Sequence, residues 1–241
     1  GTSFEQFEDL YISPNISSYV EKLTTNSTAI ASLKKQEGNY FDTNLGYSIT
    51  YDKRDRRWRT SEGFVSSFIQ NLPIYADDLS VLNGYEFSKY NNWGDDLITK
   101  ISFYTRAVNS LDDSKDVRIS ERVRLPRDKL KGFEPGKVGP KDGSDYVGGN
   151  YAASLNFTTN LPMILPSVQT ADFAFFIDAG NVWGVDYSDT VNESNEIRSA
   201  AGIGVNWFTP IGPMNFTLAQ PITKASSDKT QTFQFSIGTT F

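Results

Sequence analysis

The end of the chain alternates between apolar and polar side chains with almost no interruption. The positions on the apolar side of residues 231–241 are Phe233, Phe235, Ile237, Thr239 and Phe241. Side chains two residues apart share one face of a β-strand, so the pattern predicts a strand with one apolar and one polar face. At about 3.3 Å per residue and a tilt near 45°, such a strand rises roughly 26 Å, which matches the apolar band of a transmembrane barrel.

The same period of two recurs along the chain and indicates about twelve strands, an even number as single-chain bacterial barrels require. The clearest segments are residues 39–52 and 151–161, where apolar side chains alternate with amides, hydroxyls and other small polar groups. Less regular segments are 62–72, 78–90, 97–107, 198–208 and 213–221. We therefore predict an all-β fold, a transmembrane antiparallel up-and-down β-barrel.

The connections between the predicted strands differ in length. If the terminal strand ends on the periplasmic side, residues 161–170 and 209–213, rich in proline and glycine, become periplasmic turns. Residues 125–150, 184–197 and 222–230 then become extracellular loops. The first is far longer than a hairpin needs, and its glycines and charged residues suit a loop that folds back into a polar lumen.

Composition narrows the function classes. The 241 residues include no cysteine and no histidine, the net charge is −6, and the mean hydropathy is −0.41. Without these side chains there is no Ser-His-Asp triad, no cysteine nucleophile and no ordinary zinc site, and the negative charge does not favour nucleic acid. We expect no enzyme, cofactor, metal or nucleic-acid partner. The start at Gly1, without an initiator methionine or signal peptide, indicates a piece of a longer protein.

A set of ordered motifs carries a family resemblance. The motifs are Leu130–Phe133, Val138–Pro140, Phe176–Trp183, Ala201–Gly204, Trp207, Pro210–Pro213, Ala219–Pro221 and Phe233–Gly238. In this order the chain resembles the BamA family of outer-membrane β-barrel insertases, in the bacterial surface antigen superfamily, most strongly over its last half. The resemblance implies that residues 1–241 are the C-terminal portion of the barrel domain, with about twelve of sixteen strands. The N-terminal strands and the periplasmic POTRA domains would precede them.

The resemblance also implies a site in the lumen. The loop tip Leu130, Lys131, Gly132 and Phe133 is expected to meet Phe176, Asp178 and Gly180, which share one strand face. Asp178 would be costly against lipid, so a lumenal cation is its expected partner, and Lys131 is the candidate. The family usually has arginine at this position and often an acid at Asn156. The lysine ammonium is a point charge, whereas an arginine guanidinium can bind a carboxylate through two parallel hydrogen bonds, so the contact should be less fixed in geometry. The alternative is an ordinary solvated loop lysine.

The terminal strand allows a structural and a functional interpretation. As structure, Phe233, Phe235, Ile237 and Phe241 form a lipid-facing stripe. As function, the resemblance makes this strand the assembly signal and one side of a seam against the first barrel strand. Gly238 has no side chain to pack, so we expect short or absent pairing there. An unzipped edge exposes N–H and C=O groups that can template an incoming strand.

Several charged and aromatic groups have less specific interpretations. The carboxylate pairs Asp77-Asp78, Asp95-Asp96 and Asp112-Asp113 are interpreted as hydrated turns rather than a calcium site. The basic run at residues 53–59 is interpreted as a charged hairpin loop. An alternative places it on the outer side, in contact with lipopolysaccharide phosphates. The tryptophans are expected at strand ends as interfacial anchors, namely Trp58, Trp93, Trp183 and Trp207.

The expected function is that of an outer-membrane assembly factor, which folds and inserts β-barrel proteins into the bacterial outer membrane through a weakened seam. Its expected partners are outer-membrane lipid and lipopolysaccharide, unfolded β-barrel clients and periplasmic accessory lipoproteins. One alternative is a sibling of the same superfamily that translocates polypeptides. Another is a passive outer-membrane pore or surface antigen. An outer-membrane enzyme lacks any arranged nucleophile in this sequence.

Overall fold

The structure, a computed structural model, describes residues 1–57, 59–94, 97–161, 170–187, 191, 195–209 and 212–238. Within these residues the chain is almost entirely β-structure. The elements are β1 (Phe4–Phe7), β2 (Leu10–Leu23), α1 (Ala31–Lys34), β3 (Gly38–Asp52), β4 (Gly63–Ala76), β5 (Ser80–Asn92), β6 (Ile98–Ser110), β7 (Lys141–Asp142), β8 (Asp145–Tyr146), β9 (Tyr151–Leu161), β10 (Ala171–Trp183), β11 (Arg198–Thr209), β12 (Gly212–Thr223) and β13 (Phe233–Ile237).

Eleven of the strands form one sheet in chain order, from β1 to β6 and then from β9 to β13, and all neighbours are antiparallel. The short strands β7 and β8 pair with each other as a separate ribbon. The prediction of an all-β up-and-down barrel fold with about twelve strands is confirmed. The strands β1 and β13 stand at the two edges, and no pairing between them is found in the part of the chain that the structure describes.

Burial alternates along the strands as the period of two requires. In β10 the side chains of Phe176, Asp178 and Val182 are buried, whereas Ile177 between them is 43% exposed. Asp178 stands directly across from Asn156 in β9 and from Ala200 in β11, and all three are buried. Cross-strand partners share a face of the sheet. One face therefore lines an interior, and the opposite face carries an apolar stripe toward lipid.

The interior face is covered by the long connection between β6 and β9, residues 111–150, which we call the lumen loop. We call the eleven-stranded sheet the wall. Apolar side chains of the lumen loop and of the wall pack in one buried cluster. Its members are Tyr104, Val108, Val117, Val123, Leu125, Leu130, Phe133, Val138, Ala152, Val182 and Ala200. The lumen loop starts before the predicted boundary at residue 125, since residues 111–124 lack strand alternation. The core thus lies inside one curved sheet rather than between two stacked sheets.

The lumen loop contacts strands that are far apart in the sheet order. Arg118 Nη2 lies 2.5 Å from Asp42 Oδ2 in β3, and Lys131 Nζ lies 3.0 Å from Asp178 Oδ2 in β10. At the edge of the sheet, Gln234 Nε2 in β13 donates to Phe133 O at 2.9 Å. Arg59, in the connection between β3 and β4, also contacts Asp172 of β10 and the Phe208 ring of β11 directly. Side-chain contacts between strands so far apart in the sheet order indicate that the wall curls toward itself.

Strand direction sorts the connections between two ends of the wall. Those that follow β2, β4, β6, β10 and β12 leave the end that carries the lumen loop, and those that follow β1, β3, β5, β9 and β11 leave the opposite end. The predicted long loops and short turns therefore separate as expected. The basic run at residues 53–59 follows β3, where Arg59 Nη2 bonds Asp172 Oδ1 at 2.7 Å. Its alternative interpretation, a lipopolysaccharide contact on the same side as the long loops, is wrong because the run lies at the other end.

Some predicted features fall outside the described residues: Trp58, Asp95-Asp96, residues 162–169, Pro210, Ile211, Thr239 and Phe241. Of the other acidic pairs, Asp78 accepts from Lys115 at 2.9 Å, and Asp112 accepts the hydroxyl of Ser114 at 2.6 Å. Trp183 ends β10, and Trp93 follows β5 directly. Among the residues that the structure describes, no helix is long and apolar enough to cross a membrane.

A charge on the outer face should destabilise the fold in proportion to its depth. Leu155, which is 55% exposed, stands in the middle of β9, and Leu161 stands on the same face at its end. We expect Leu155→Arg to lower the free energy of unfolding by about 2–4 kcal/mol, and Leu161→Arg by about 0–1 kcal/mol. Urea titration of the full-length gene product in phospholipid vesicles measures both. Equal effects would contradict a lipid-facing outer stripe.

Candidate functional site: the lumen loop and the terminal strand

The carboxylate of Asp178 is the centre of the lumenal contacts. It is fully buried, and its oxygens accept from the Lys131 backbone N–H at 3.0 Å and from Lys131 Nζ at 3.0 and 3.2 Å. Asn156 Nδ2 donates to Asp178 Oδ1 at 2.9 Å. The Lys131 ammonium also lies 4.3 Å from the centroid of the Phe176 ring. The structure thus contains the contact that the sequence predicted between Lys131 and Asp178, and Lys131 is not a solvated loop lysine.

Asn156 connects the loop to the wall in a way that an acid could not. Its amide nitrogen donates to Lys129 O at 2.8 Å as well as to Asp178, and its oxygen accepts from Ser154 Oγ at 3.2 Å. One acceptor of the amide nitrogen is a backbone carbonyl, and the other is a carboxylate oxygen paired with the Lys131 ammonium. A side-chain donor is therefore required at residue 156 while lysine supplies the cation at residue 131.

Glycines let the loop tip approach the wall closely. Gly132 has φ +88°, and a Cβ added there would lie 3.1 Å from Ala200 Cβ and 3.2 Å from Ala219 Cβ. At Gly202 in β11, an added Cβ would lie 2.7 Å from Phe176 Cζ and 2.1 Å from Leu218 O. A side chain at Gly132 would press against the wall, and one at Gly202 would overlap the Phe176 ring. Glycine at both positions therefore allows the close approach.

Other ionic contacts of the lumen loop were missed by the sequence analysis. Arg118 meets Asp42, and the Arg122 guanidinium pairs with the carboxylate of Asp186 just beyond β10. Burial of Asp186 opposes ionisation, but hydrogen bonds from the Val117 N–H, the Asn150 amide and Arg122 lower the pKa of that carboxyl. No local motif marks these pairs, because each joins residues more than sixty positions apart.

The terminal strand begins two residues later than the predicted segment 231–241, and residues 239–241 of that segment lie outside the described residues. β13 comprises five residues, and residues 231 and 232 are not part of it. Phe233, Phe235 and Ile237 are exposed on the lipid side, whereas Gln234 is buried on the lumen side. Gly238 follows β13 directly and has φ +84°. A short or absent seam between Gly238 and a first barrel strand stays a prediction.

The bonding of β13 is one-sided. Gly238 N–H donates to Pro213 O at 2.7 Å, and Ala219 N–H donates to Thr232 O at 2.8 Å. Bonded and non-bonded positions alternate along an antiparallel pair. The even-numbered residues therefore bond β12, and Phe233, Phe235 and Ile237 direct their N–H and C=O groups away from it. Among the described strands β13 has one neighbour, so these groups lie at the edge of the described sheet, where Phe235 O accepts from Arg127.

The chemistry of this site is hydrogen bonding and charge pairing. Among the described residues, no three carboxylates gather closely enough to hold a metal ion. The lumen loop binds the wall through Lys131 and Asp178, and it binds the terminal segment through Gln234 and the backbone of Phe133. The fold and the site define a transmembrane β-barrel whose interior holds its own loop and whose described sheet ends at β13.

Comparison with known proteins gives the family. A model of the Omp85 superfamily domain matches residues 5–241, so the chain belongs to the Omp85 superfamily. The chain is 34% identical to outer membrane protein assembly factor BamA of Neisseria meningitidis over 46% of its own length and 17% of the relative's. It is 27% identical to BamA of Neorickettsia risticii, over 87% of the chain and 29% of the relative.

A eukaryotic relative and a solved structure agree with this assignment. The chain is 26% identical to the sorting assembly machinery 50 kDa subunit of Saccharomyces cerevisiae, over 86% of the chain and 44% of that protein. The crystal structure of BamA from Haemophilus ducreyi lacking POTRA domains 1–3 matches with a TM-score of 0.85 at 21% identity, over 97% of this chain and 52% of that chain. The chain thus spans less than half the length of these curated relatives and about half of the solved chain.

Crowding at the loop tip should make Gly132 intolerant of a side chain. Gly132→Ala adds both a strained positive φ and close contacts with Ala200 and Ala219, whereas Gly94 has φ +93° with nothing within 4 Å of an added Cβ. We expect Gly132→Ala to lower the free energy of unfolding by about 2–3 kcal/mol, and Gly94→Ala by about 1 kcal/mol. Denaturant midpoints in vesicles measure the difference. Equal losses would mean that the loop tip is not packed against β11 and β12.

Replacing the amide of Asn156 should destabilise the loop. In Asn156→Asp a carboxylate oxygen would face Asp178 Oδ1 and Lys129 O, which now lie 2.9 and 2.8 Å from a donor. We expect Asn156→Asp to lower the free energy of unfolding by about 2–3 kcal/mol, measured from denaturant midpoints in vesicles. Adding Lys131→Arg should recover part of it, since a guanidinium fork can serve two carboxylates.

The matched control is Asn160→Asp, the same change on the same face of β9, where the cross-strand partner is Ala174. It should have little effect on unfolding. Equal losses for the two variants would indicate that general lumen charge, and not the Asp178 contact, sets the requirement for an amide.

Proposed function

We propose that this chain acts in the folding and insertion of β-barrel proteins into the bacterial outer membrane, through exchange of backbone hydrogen bonds at β13. The proposal rests on membership of the Omp85 superfamily and on the backbone of β13, whose odd-numbered N–H and C=O groups point away from β12. The proposed activity is non-enzymatic, since strand exchange makes and breaks no covalent bond.

The free edge of β13 suits this role. The N–H and C=O groups of Phe233, Phe235 and Ile237 point away from β12, and an extended segment can add to such an edge by β-augmentation. A client strand that added at this edge would bond the outward N–H and C=O groups and leave the bonds to β12 in place.

The lumenal contacts support the same role. The loop tip Leu130–Phe133 is held on Phe176, Asp178 and Gly180 by a buried ion pair, and it contacts the terminal strand at Gln234. We propose that this pair keeps the lumen filled and the loop positioned beside the edge. A lumen occupied by packed side chains argues against a passive pore.

We further propose the partners and the setting. The relatives include bacterial BamA proteins and a yeast sorting assembly subunit, which points to the outer membrane of bacteria or mitochondria. The two BamA relatives favour the bacterial membrane, with lipid and lipopolysaccharide around the apolar stripe. The proposed clients are unfolded β-barrel proteins, and periplasmic accessory lipoproteins are proposed helpers. We also propose that residues 1–241 are the C-terminal portion of a larger barrel domain, because they cover 52% of the matching solved chain.

The bonding pattern of β13 allows a test of the edge. Phe235→Pro removes an N–H that points to the free edge and leaves the bonds to β12, because proline is tolerated where its nitrogen faces away from the ladder. In vesicles that hold the full-length gene product, we expect Phe235→Pro to slow the folding of an added eight-stranded barrel about tenfold or more. Heat-modifiable gel mobility of the client measures the rate.

Phe235→Ala is the matched control, since it removes the aromatic ring and keeps the N–H. It should fold the client at close to the native rate. If Phe235→Pro and Phe235→Ala were equally active, or if the native protein did not accelerate client folding, the proposed function would be overturned.

A further inference from the structure

The lumen loop contacts the free edge of β13 as well as the wall. Arg127 Nη1 donates to Phe235 O at 3.0 Å, and Gln231 N–H donates to Gly132 O at 2.9 Å. Gln231 and Phe235 are both odd-numbered, so both contacts use backbone groups that point away from β12. The lumen loop therefore occupies one acceptor and one donor that an added strand would need.

Further backbone contacts bring the loop and the terminal segment side by side. Phe133 and Thr230 form an isolated antiparallel bridge, Glu134 N–H donates to Lys229 O at 3.0 Å, and Lys229 N–H donates to Lys137 O at 3.1 Å. The loop thus follows the chain into the start of β13 in the manner of a short partner strand. Arg127 extends these contacts to the backbone in the middle of β13, where it donates to Phe235 O.

We infer that Arg127 is a positioning residue for the proposed strand exchange, which holds the Phe235 carbonyl of the free edge until a client strand takes its place. This inference rests on the proposed function. A guanidinium is suited to this position because it donates without accepting, so it can satisfy an edge carbonyl but cannot template a second strand.

The contact adds a further link between the loop anchored at Asp178 and the terminal strand. Arg127 stands four residues before Lys131, whose ammonium is fixed on Asp178 of β10. A loop anchored at Asp178 presents the guanidinium at a defined distance from β13. A client strand that bonds Phe235 O must displace Arg127, and the displaced loop remains attached to β10. Release of the edge is therefore local and reversible.

Amide hydrogen exchange of the full-length gene product in phospholipid vesicles tests this assignment. In Arg127→Ala, the β12-bonded amides of Gln234, Ser236 and Gly238 should exchange about three- to tenfold faster, since a charged donor to one edge carbonyl is lost. Amides in β9 and β10 should not change. Arg127→Lys, which keeps a cationic donor, should restore most of the protection.

Lys129→Ala is the matched control, because it removes a loop cation that pairs with Asp128 and contacts no residue of β13 in the structure. It should leave exchange in β13 unchanged. Unaltered exchange in Arg127→Ala would overturn the inference. An equal rise across β9, β10 and β13 would also overturn it, since the effect would then be on the whole fold.

A second measurement separates the inference from the proposed function. A synthetic peptide with the sequence of residues 231–241 and a photoreactive group serves as the added strand. Arg127→Ala should capture more of it than the native protein, by a factor similar to the rise in exchange. If neither protein captured the peptide while exchange in β13 still rose, Arg127 would hold the edge and the proposed strand exchange would be wrong.

Discussion

The buried carboxylate of Asp178 is the contact on which the rest of the structure depends. A period-two strand that faces lipid on one side must fill or hydrate its other side, and a carboxylate on that inner side requires donors. Lys131 and Asn156 supply them, with the backbone N–H of Lys131. Because Lys131 belongs to the lumen loop, neutralising this one charge also docks the loop and fills the interior.

The same principle recurs around the wall. Arg118 is buried against Asp42 of β3, and Arg198 of β11 makes a two-contact pair with Asp228, at 2.9 and 3.1 Å. Removing one member of such a pair leaves an uncompensated charge in a dry interior, which is more destabilising than loss of a surface pair. The lumen loop and the connection after β12 are therefore structural parts of the barrel and not appendages.

The terminal strand follows the opposite principle. It is paired on one side and held on the other by a few loop contacts, among them Arg127 on Phe235 O and Gln231 on Gly132 O. A strongly closed edge would be stable but unable to accept another strand, and an open edge would invite uncontrolled association. In this chain the loop contacts cover one carbonyl and one N–H of the edge and leave other backbone groups pointing outward.

The sequence by itself determined the strands, their faces and the class of fold, because a period of two can be read locally from segments such as 151–161 and 233–237. The resemblance also pointed to Lys131 and Asp178 as partners. Only the tertiary structure decided the end of the wall at which the basic run lies, the pairing of Arg118 with Asp42, and the contact of Arg127 with Phe235. Each of these depends on how a curved sheet brings distant residues together, and no local pattern encodes that curvature.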